Sequence, residues 1–189
     1  MQQLFLIRHG KPAAVWGEAD EDPGLDDAGR AQAEAARDFL LSLPDEQRPL
    51  RVVSSPLRRC RETAAPTAEA LGVEIEIDPG VGEIPTPGAL TAEARPAWLR
   101  EAFQGRWVDI RGDLDYEDWR RRAAASLLTR GRTAVFSHYV AINAVMSLLA
   151  GDDRVLVFRP DHASITTLAT DGGSLTLVEA GREASTGVL

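Results

Sequence analysis

The sequence predicts an α/β protein: a three-layer α/β/α sandwich with a mainly parallel sheet and a closing hairpin at the C-terminus. Short β-like runs alternate with helical patterns along the chain, and short connections join them. Strands and helices in such alternation build a parallel sheet that helices cover on both faces. The 189 residues have the size of one ordinary domain. We therefore expect a single domain over residues 1–189.

The strand pattern begins with an unbroken apolar run, LFLIR at 4–8, as expected for a strand that is buried on both faces. The run VEIEI at 73–77 alternates apolar and charged residues, which predicts a position at or near a sheet edge. Asp171, Gly172 and Gly173 separate two further β-like runs and predict the closing hairpin. The predicted strands are residues 4–8, 51–55, 73–77, 133–137, 164–170 and 174–180.

Helical signals lie between these strands. Asp26 is a plausible N-cap for the first helix, and Ser55 followed by Pro56 indicates the cap and first residue of the second. Gly72 and Gly151 mark the ends of the second and the last helix. The predicted helices are residues 25–43, 56–72, 115–129 and 138–151.

The composition argues against several classes of function. The net charge of −8 argues against a general nucleic-acid binder but permits a small anionic ligand, because binding depends on the local field. No apolar run approaches the roughly 20 residues that span a bilayer, and the first residues lack the pattern of a signal peptide. We expect a cytoplasmic protein. The single cysteine, Cys60, excludes an internal disulfide and a multi-cysteine metal site; it is either a reactive thiol or a small packing residue.

The first chemical motif, Arg8-His9-Gly10, follows the first predicted strand. In open α/β sheets, ligands bind outside the carboxyl ends of the strands. Neutral imidazole is a nucleophile near neutral pH and can accept a phosphoryl group. The neighbouring guanidinium can hold an anion and disfavours protonation of the ring, while Gly10 lets the backbone approach a ligand. Taken alone, the tripeptide is equally consistent with a surface turn.

Two further motifs fall at strand ends. Arg58 and Arg59, within SSPLRRCRETA at 54–64, are predicted in the first turns of a helix, whose N-terminal partial charge attracts anions. His138 follows the strand at 133–137 and begins a buried helix. Each motif alone has an ordinary structural explanation, a solvated arginine face or a satisfied core histidine. Together the three motifs predict an anion site, because all of them lie on one edge of the sheet.

The segments LFLIRHG, SSPLRRCRETA and VFSHYVAI, in this order, resemble the motifs of the histidine phosphatase superfamily, also called the phosphoglycerate mutase-like family. The stretch PGLDDAGRAQAEAA at 23–36 is similar to the family's helix after the first motif, with Asp26 where a threonine cap is usual. The resemblance covers nearly the whole chain in strand order. It implies the phosphoglycerate mutase-like fold.

The resemblance also implies roles for individual residues. His9 corresponds to the nucleophile, and Arg8 and Arg59 correspond to phosphate-binding residues. His138 corresponds to the second histidine, which contacts the transferred phosphoryl group and belongs to both the catalytic and the phosphate-binding set. Glu83, in GVGEIPTPG, corresponds to the acidic residue that protonates the leaving oxygen.

The chain departs from the family's usual pattern at several positions. Lys11 and Pro12 replace a common Glu-Thr pair, and Val15 stands where an asparagine often helps to hold phosphate. Asn143 lies where an arginine is frequent. These departures leave the catalytic set intact and the identity of the substrate open. The residues predicted at the rim of the substrate site are Lys11, Trp16, Arg58, Trp98, Trp107, Asn143 and His162.

Residues 78–114 are rich in proline and glycine and are predicted to form a cap-like insertion. Within it, Pro96 is expected to interrupt broken helical segments. The aromatic residues Trp98, Phe103 and Trp107 either cover the organic part of the substrate or form a small satellite core.

The sequence therefore predicts a metal-independent phosphomonoesterase that acts on a phosphorylated small molecule through a phosphohistidine. We expect no cofactor, no metal, no nucleic-acid partner and no membrane partner; the oligomeric state stays open. A phosphoglycerate mutase is one alternative, although RHGKPAAV lacks the context of most mutases. A catalytically inactive phosphate-binding module is another, although it would not need the full catalytic set. A zinc hydrolase built on the three histidines is disfavoured, because their spacing matches no metal motif.

Overall fold

The computed structural model describes residues 1–14 and 22–185, so Trp16, predicted at the rim, lies outside the described residues. Within them the strands are β1 (Gln2–Arg8), β2 (Arg51–Ser54), β3 (Ile75–Ile77), β4 (Thr133–Ser137), β5 (Ile165–Thr170) and β6 (Leu175–Glu179). The helices are α1 (Asp27–Ser42), α2 (Arg58–Leu71), α3 (Arg95–Gln104), α4 (Tyr116–Ala125) and α5 (Tyr139–Leu149). None of these helices, in the described ranges, combines the length and apolar character that crossing a membrane requires.

The six strands form one sheet in the order β3-β2-β4-β1-β5-β6. The first four of these run parallel to one another, whereas β5 pairs antiparallel with both β1 and β6. The predicted mainly parallel sheet and the C-terminal hairpin are confirmed. β3 lies at an edge, as its alternating sequence predicts.

Helices cover both faces of the sheet and complete the three layers. Leu6 of β1 packs with Ile142 of α5 on one face, whereas Ile7 packs with Leu40 of α1 on the other. Successive side chains of a strand point to opposite faces, which explains why β1 is apolar at consecutive positions. Burial of each such side chain contributes about 1.5–3 kcal/mol.

Two predicted helix features are wrong. α2 begins at Arg58 and not at Pro56. The hydroxyl of Ser55 accepts from the N–H of Leu57 at 3.4 Å and bonds to the ring of His138, and it does not cap the helix. Pro96 lies in the first turn of α3 and begins that helix instead of interrupting one. A proline in the first turn removes no helical hydrogen bond, so the position suits it.

The insertion at 78–114 packs as a separate cluster against the α4 and α5 layer. α3 contributes Leu99, and a short 3₁₀ turn contributes Trp107. Tyr116 of α4 and Val140 of α5 complete the contact. This cluster fixes the insertion to the helices that follow it in the chain.

The carboxyl ends of β1, β2 and β4 bring the predicted motifs together. Arg8 at the end of β1 pairs with Ser137 at the end of β4, and β2 flanks β4 on its other side. His9, Ser55 and His138 immediately follow these three strands. Their side chains therefore begin at one edge of the sheet, where ligands of open α/β folds bind.

Candidate active site

His9 directly follows β1 and is 6% exposed. Its backbone N–H donates to the carbonyl oxygen of Ser137 at 3.0 Å, and its ring Nδ1 lies 2.8 Å from the carbonyl oxygen of Gly10. Because a carbonyl oxygen only accepts hydrogen bonds, Nδ1 carries the ring proton. The lone pair is therefore on Nε2, which is the nitrogen that can act as a nucleophile.

Gly10 holds this geometry by close packing within the protein. A Cβ at Gly10 would stand 2.6 Å from the carbonyl oxygen of Gly29 on α1, so any side chain would displace the helix. The Gly10 N–H donates to Oγ1 of Thr63 on α2 at 2.9 Å. The sequence predicts that Gly10 lets the backbone come close to a ligand. In the structure, the first turn of α1 makes this close approach instead.

Arg8, the last residue of β1, is 5% exposed. Its Nη1 donates to the carbonyl oxygen of Pro160 at 2.9 Å, and its Nη2 lies 3.0 Å from Nε2 of His162. The guanidinium also lies 5.0 Å from the ring centre of Tyr139, a cation–π contact. These three contacts fix the guanidinium. His162, predicted at the rim, lies beside it, with its ring centre 5.9 Å from that of His9.

The loop that carries His162 to this position is held by a hydrogen bond and an ion pair. The next residue, Ala163, has a φ of 52°, a conformation that costs an L-residue about 1 kcal/mol. The His162 N–H donates to Oδ1 of Asp161 at 2.8 Å, and Asp161 forms an ion pair with Arg182 at 3.0 Å. Backbone strain of this kind persists where surrounding contacts enforce it, here next to the buried Arg8.

Arg59 and His138 lie next to each other and to His9. The ring centres of His9 and His138 are 5.3 Å apart. Nη2 of Arg59 is 3.2 Å from Nδ1 of His138, and a guanidinium can only donate, so Nδ1 accepts this bond. Nε2 of His138 then donates to Oγ of Ser55 at 2.7 Å. Because a hydroxyl both donates and accepts, Ser55 can hold this ring in either tautomer.

Glu83 reaches the same place from the start of the insertion. The hydroxyl of Ser137 donates to the carbonyl oxygen of Val81 at 2.7 Å, which ties the turn before Glu83 to β4. The Glu83 side chain is 6% exposed, and its Oε2 lies 3.7 Å from Nδ1 of His138. That distance exceeds the one to Arg59, so we assign the Nδ1 hydrogen bond to Arg59. The structure thus brings together all five residues that the resemblance singles out: Arg8, His9, Arg59, Glu83 and His138.

The histidines of the site are held in the neutral form. Burial, followed by the neighbouring His138 and Arg59, keeps the pKa of His9 well below its usual 6.5. Burial and then Arg59 lower the pKa of His138 well below 6.5, and burial and then Arg8 lower the pKa of His162 to about 4. Burial also lowers the pKa of Arg8 to about 10, which leaves it charged at neutral pH. A neutral ring among cations is the reactive form of a histidine nucleophile.

These pKa shifts predict a loss of stability in mild acid. A histidine whose folded pKa lies below the unfolded 6.5 contributes stability that is complete above pH 6.5 and is lost as the pH falls towards the folded value. Between about pH 7.5 and about pH 5.5, the free energy of unfolding should fall by about 1 kcal/mol per histidine, or about 3–4 kcal/mol for all three. Urea unfolding at the two pH values measures this difference.

The control for this prediction is His162→Asn, which removes one of the three groups. Its fall between the two pH values should be smaller than that of the wild type by about 1 kcal/mol. An unfolding free energy that is the same at both pH values would contradict the buried, neutral histidines.

Two predicted rim residues are wrong because they are buried in the protein core. Trp107 is 1% exposed, and its Nε1 donates to Oγ of Ser147 on α5 at 3.0 Å. Asn143 is also 1% exposed, and its Oδ1 accepts the backbone N–H groups of Val157 and Phe158 at 3.0 and 2.9 Å. Asn143 therefore anchors the chain after α5. For Trp107, the satellite-core alternative is confirmed.

Trp98 also makes its contacts with the insertion and the helix after it. Its ring centre lies 5.8 Å from that of Tyr116, and its Nε1 donates to the carbonyl oxygen of Arg111 at 2.9 Å. It lines a cavity of about 160 Å³ whose lining residues all belong to 78–114. Phe103 packs against the same satellite cluster, with its ring centre 5.8 Å from that of Tyr139.

The two charged rim candidates form ion pairs. Nζ of Lys11 lies 2.8 Å from Oδ2 of Asp26, the residue that caps α1 by accepting from the N–H of Gly29. Nε of Arg58 lies 2.6 Å from Oε1 of Glu62 on the next turn of α2. Both cations are thus neutralised locally, and roles for them at the rim stay predictions.

Sequence reasoning missed two residues of the site. The sequence context of Ser55 predicts a helix cap, although its position after β2 indicates that it shares the edge of the sheet with His138. Arg95 lies in the weakly periodic insertion, and its charge interacts with Glu83, Arg59 and His138. No sequence pattern of the insertion pointed to it.

Cys60 is a packing residue. It is 0% exposed, its Sγ donates to the carbonyl oxygen of Ser137 at 3.4 Å, and it lies 3.3 Å from Nε2 of His138. Burial raises the pKa of the Cys60 thiol well above its usual value, which rules out a thiolate at neutral pH. In residues 1–14 and 22–185, no group of three or more histidine, cysteine or acidic side chains could hold a metal ion.

Comparisons with known proteins identify a family whose model matches most of the chain. A family model described as histidine phosphatase superfamily (branch 1) matches residues 4–182. The curated glucosyl-3-phosphoglycerate phosphatase of Mycolicibacterium vanbaalenii is 35% identical over 83 residues, which are 41% of this chain and 34% of that protein. The protein of the same name from Mycobacterium tuberculosis is 33% identical over 82 residues. The match thus spans about a third of the length of these curated relatives.

Solved structures resemble the chain over nearly its whole length. Phosphoserine phosphatase from Entamoeba histolytica, in complex with 3-phosphoglyceric acid, aligns with a TM-score of 0.73 and 23% identity over 96% of this chain and 98% of that one. Mycobacterial glucosyl-3-phosphoglycerate phosphatase, in complex with VO3, aligns with a TM-score of 0.72 and 23% identity over 97% and 100%. At this level of identity the likeness establishes the shared fold.

Proposed function

The chain belongs to the histidine phosphatase superfamily, branch 1, and we propose that it hydrolyses phosphorylated small molecules through a phosphohistidine. The observation that carries this proposal is the state of His9. Its proton is held on Nδ1 by Gly10, which leaves the Nε2 lone pair of a buried, neutral ring close to His138, Arg59 and Arg8. Such a ring has the nucleophile and the electrostatic surroundings that phosphoryl transfer needs.

In the first step, Nε2 of His9 attacks phosphorus in line with the ester oxygen. The N–P bond forms as the P–O bond to the organic part breaks, and Glu83 gives its proton to the departing oxygen. Arg8 and Arg59 donate to the phosphoryl oxygens, and His138 donates a further bond from Nδ1 once Ser55 holds its other nitrogen as an acceptor. The alcohol leaves as a neutral molecule.

In the second step, water attacks the phosphohistidine. Glu83, now ionised, takes a proton from the water as its oxygen bonds to phosphorus, and the N–P bond breaks. His9 returns to its neutral form, and inorganic phosphate is released. Because the arginines offset the phosphoryl charge and His138 donates a hydrogen bond to a phosphoryl oxygen, the proposed route needs no metal ion.

The names of the relatives support the kind of substrate. Glucosyl-3-phosphoglycerate phosphatase and phosphoserine phosphatase are both named for phosphorylated small molecules. The acidic chain, with its net charge of −8, is poorly suited to bind nucleic acid over a broad surface. We therefore infer a phosphate monoester of a small metabolite as the substrate.

The test is an assay of the purified protein with a generic aryl phosphate and a panel of phosphorylated metabolites, all in the presence of a chelator. We expect release of inorganic phosphate at a rate that the chelator does not change. Activity that the chelator abolishes would contradict the metal-independent route. Phosphate binding without turnover would identify an inactive binding module, and transfer of the phosphoryl group between hydroxyl groups would identify a mutase.

A further inference from the structure

The guanidinium of Arg8 has a hydrogen-bond acceptor on each of its two terminal nitrogens. Nη1 donates to the carbonyl oxygen of Pro160 at 2.9 Å, and Nη2 donates to Nε2 of His162 at 3.0 Å. The ring of Tyr139 lies against the guanidinium, with its centre 5.0 Å from the central carbon. The ring restricts the plane of the guanidinium, and the two hydrogen bonds restrict its rotation within that plane.

These contacts leave a defined part of Arg8 for a ligand. A guanidinium has five N–H groups, and Pro160 and His162 accept from two of them. Nε is buried, and in the part of the chain that the structure describes it has no hydrogen-bond partner. A buried donor without a partner is unfavourable. This N–H is therefore suited to an acceptor that arrives with the substrate, such as a phosphoryl oxygen.

The two acceptors differ in kind, because Pro160 contributes a backbone carbonyl and His162 contributes a side chain. Burial, followed by the neighbouring Arg8, lowers the pKa of His162 to about 4. Its ring is therefore neutral at neutral pH, and Nε2 keeps the lone pair that accepts from Arg8. A protonated ring only donates, so it would lose this bond and repel the guanidinium.

The loop that carries both acceptors, residues 159–164, is tied directly to the end of β1. The N–H of Arg8 donates to the carbonyl oxygen of Ser164 at 3.2 Å, and the N–H of Ala163 donates to the carbonyl oxygen of His9 at 3.3 Å. These bonds fix the backbone on both sides of the contact between the loop and β1. The position of the loop is thus set relative to the nucleophile as well as to Arg8.

The same loop pairs with residues 181–184, which follow β6. The N–H of Asp161 donates to the carbonyl oxygen of Arg182, and the N–H of Ala184 donates to the carbonyl oxygen of Arg159, both at 2.9 Å. The loop is therefore held between the end of β1 and the chain after β6. Such bonds let the strained backbone conformation within the loop persist.

We propose that His162 is a positioning residue of the phosphate site: its Nε2 holds the Arg8 guanidinium in the orientation that presents the remaining N–H groups to the transferred phosphoryl group. The inference rests on the proposed phosphatase function for the identity of that group. His162 acts through Arg8 and needs no contact with the substrate. A donor that is already oriented loses little side-chain entropy when an anion binds, so loss of His162 should weaken phosphate binding.

The test is a calorimetric titration of the purified protein with inorganic phosphate at one pH and one ionic strength. His162→Ala should raise Kd by about 3-fold to 10-fold, the effect of one lost hydrogen bond. His162→Gln should bind within about twofold of the wild type, because its longer amide also offers an acceptor to Arg8. His162→Asn has a shorter side chain and should lose as much as His162→Ala; it keeps a polar side chain and also serves if the alanine variant does not fold.

A double-mutant cycle separates a role through Arg8 from a general effect on the fold. Arg8→Lys should itself weaken phosphate binding by about tenfold or more, since lysine lacks the planar fork. In that background, His162→Ala should cost less than about a further twofold, because the guanidinium that His162 holds is gone. A purely structural role for His162 would give the same loss in both backgrounds.

An unchanged Kd in His162→Ala would overturn the inference, and so would equal losses in the two backgrounds or a His162→Gln variant that binds as weakly as His162→Ala. All three results would leave the proposed function intact. The titration needs no turnover, so the expected pattern in a protein that hydrolyses no ester would support the inference and contradict the proposed function. A wild type that binds no phosphate would overturn both.

Discussion

Replacing His9 with alanine is expected to lower kcat/KM by on the order of 10⁴-fold or more and to abolish the phosphorylated intermediate. In the proposed mechanism, the lone pair on Nε2 of His9 forms the N–P bond, and no other group of the site can take over this step. Nδ1 of His138 accepts from Arg59, and Nε2 of His162 accepts from Arg8, so both rings have their lone pairs engaged. The remaining site would still bind phosphate through its arginines.

The measurement is brief mixing with a labelled aryl phosphate, followed by denaturation in alkali and detection of protein-bound phosphate. Wild type should carry the label, and His9→Ala should not. His162→Asn is the control, because it also removes a histidine from beside Arg8 but leaves the nucleophile in place; it should still be labelled. If His9→Ala still became labelled, another residue would be the nucleophile, and this result would contradict the mechanism.

The sequence was most informative where residue identity and strand position act together. Arg8, His9 and His138 lie at the ends of apolar runs, and the carboxyl ends of neighbouring parallel strands meet at one edge. Their convergence therefore followed from topology before any distance was known. Glu83 could be assigned only through the family resemblance, since an acidic residue in a glycine- and proline-rich segment has no periodicity that fixes its direction.

The errors arose where tertiary packing decides the role of a side chain. Trp107 and Asn143 are buried against α5 and the chain after it, and neither contact can be inferred from local spacing. Ser55 has the sequence context of a helix cap, but its hydroxyl bonds to the ring of His138 and α2 begins only at Arg58. Arg95 is held by a hydrogen bond from its Nε to Thr86, a contact that local spacing does not indicate. In each case a long-range contact, which local spacing does not specify, decides the role of the side chain.

The loss of kcat/KM in Glu83→Gln should depend on the leaving group of the substrate. A glutamine has nearly the same shape but no proton to transfer, so the cost should depend on how much the departing oxygen needs one. An alkoxide is a strong base, and kcat/KM for an alkyl phosphate should fall by about 10²–10⁴-fold. Nitrophenolate is a far weaker base and leaves without a proton, so kcat/KM for nitrophenyl phosphate should fall by less than about tenfold. Inhibition by inorganic phosphate should change little.

The comparison uses kcat/KM because it reports only the steps up to release of the alcohol, and it therefore isolates the acid role of Glu83 from its later role as base. With nitrophenyl phosphate, slow hydrolysis of the phosphohistidine should appear separately, as a burst of nitrophenolate that matches the enzyme concentration. Glu74→Gln is the matched control, because Glu74 is exposed just before β3, and it should leave both substrates unaffected. Equal losses for the alkyl and the aryl ester in Glu83→Gln would show that Glu83 supports the site without donating the proton, and another group would then have to supply it.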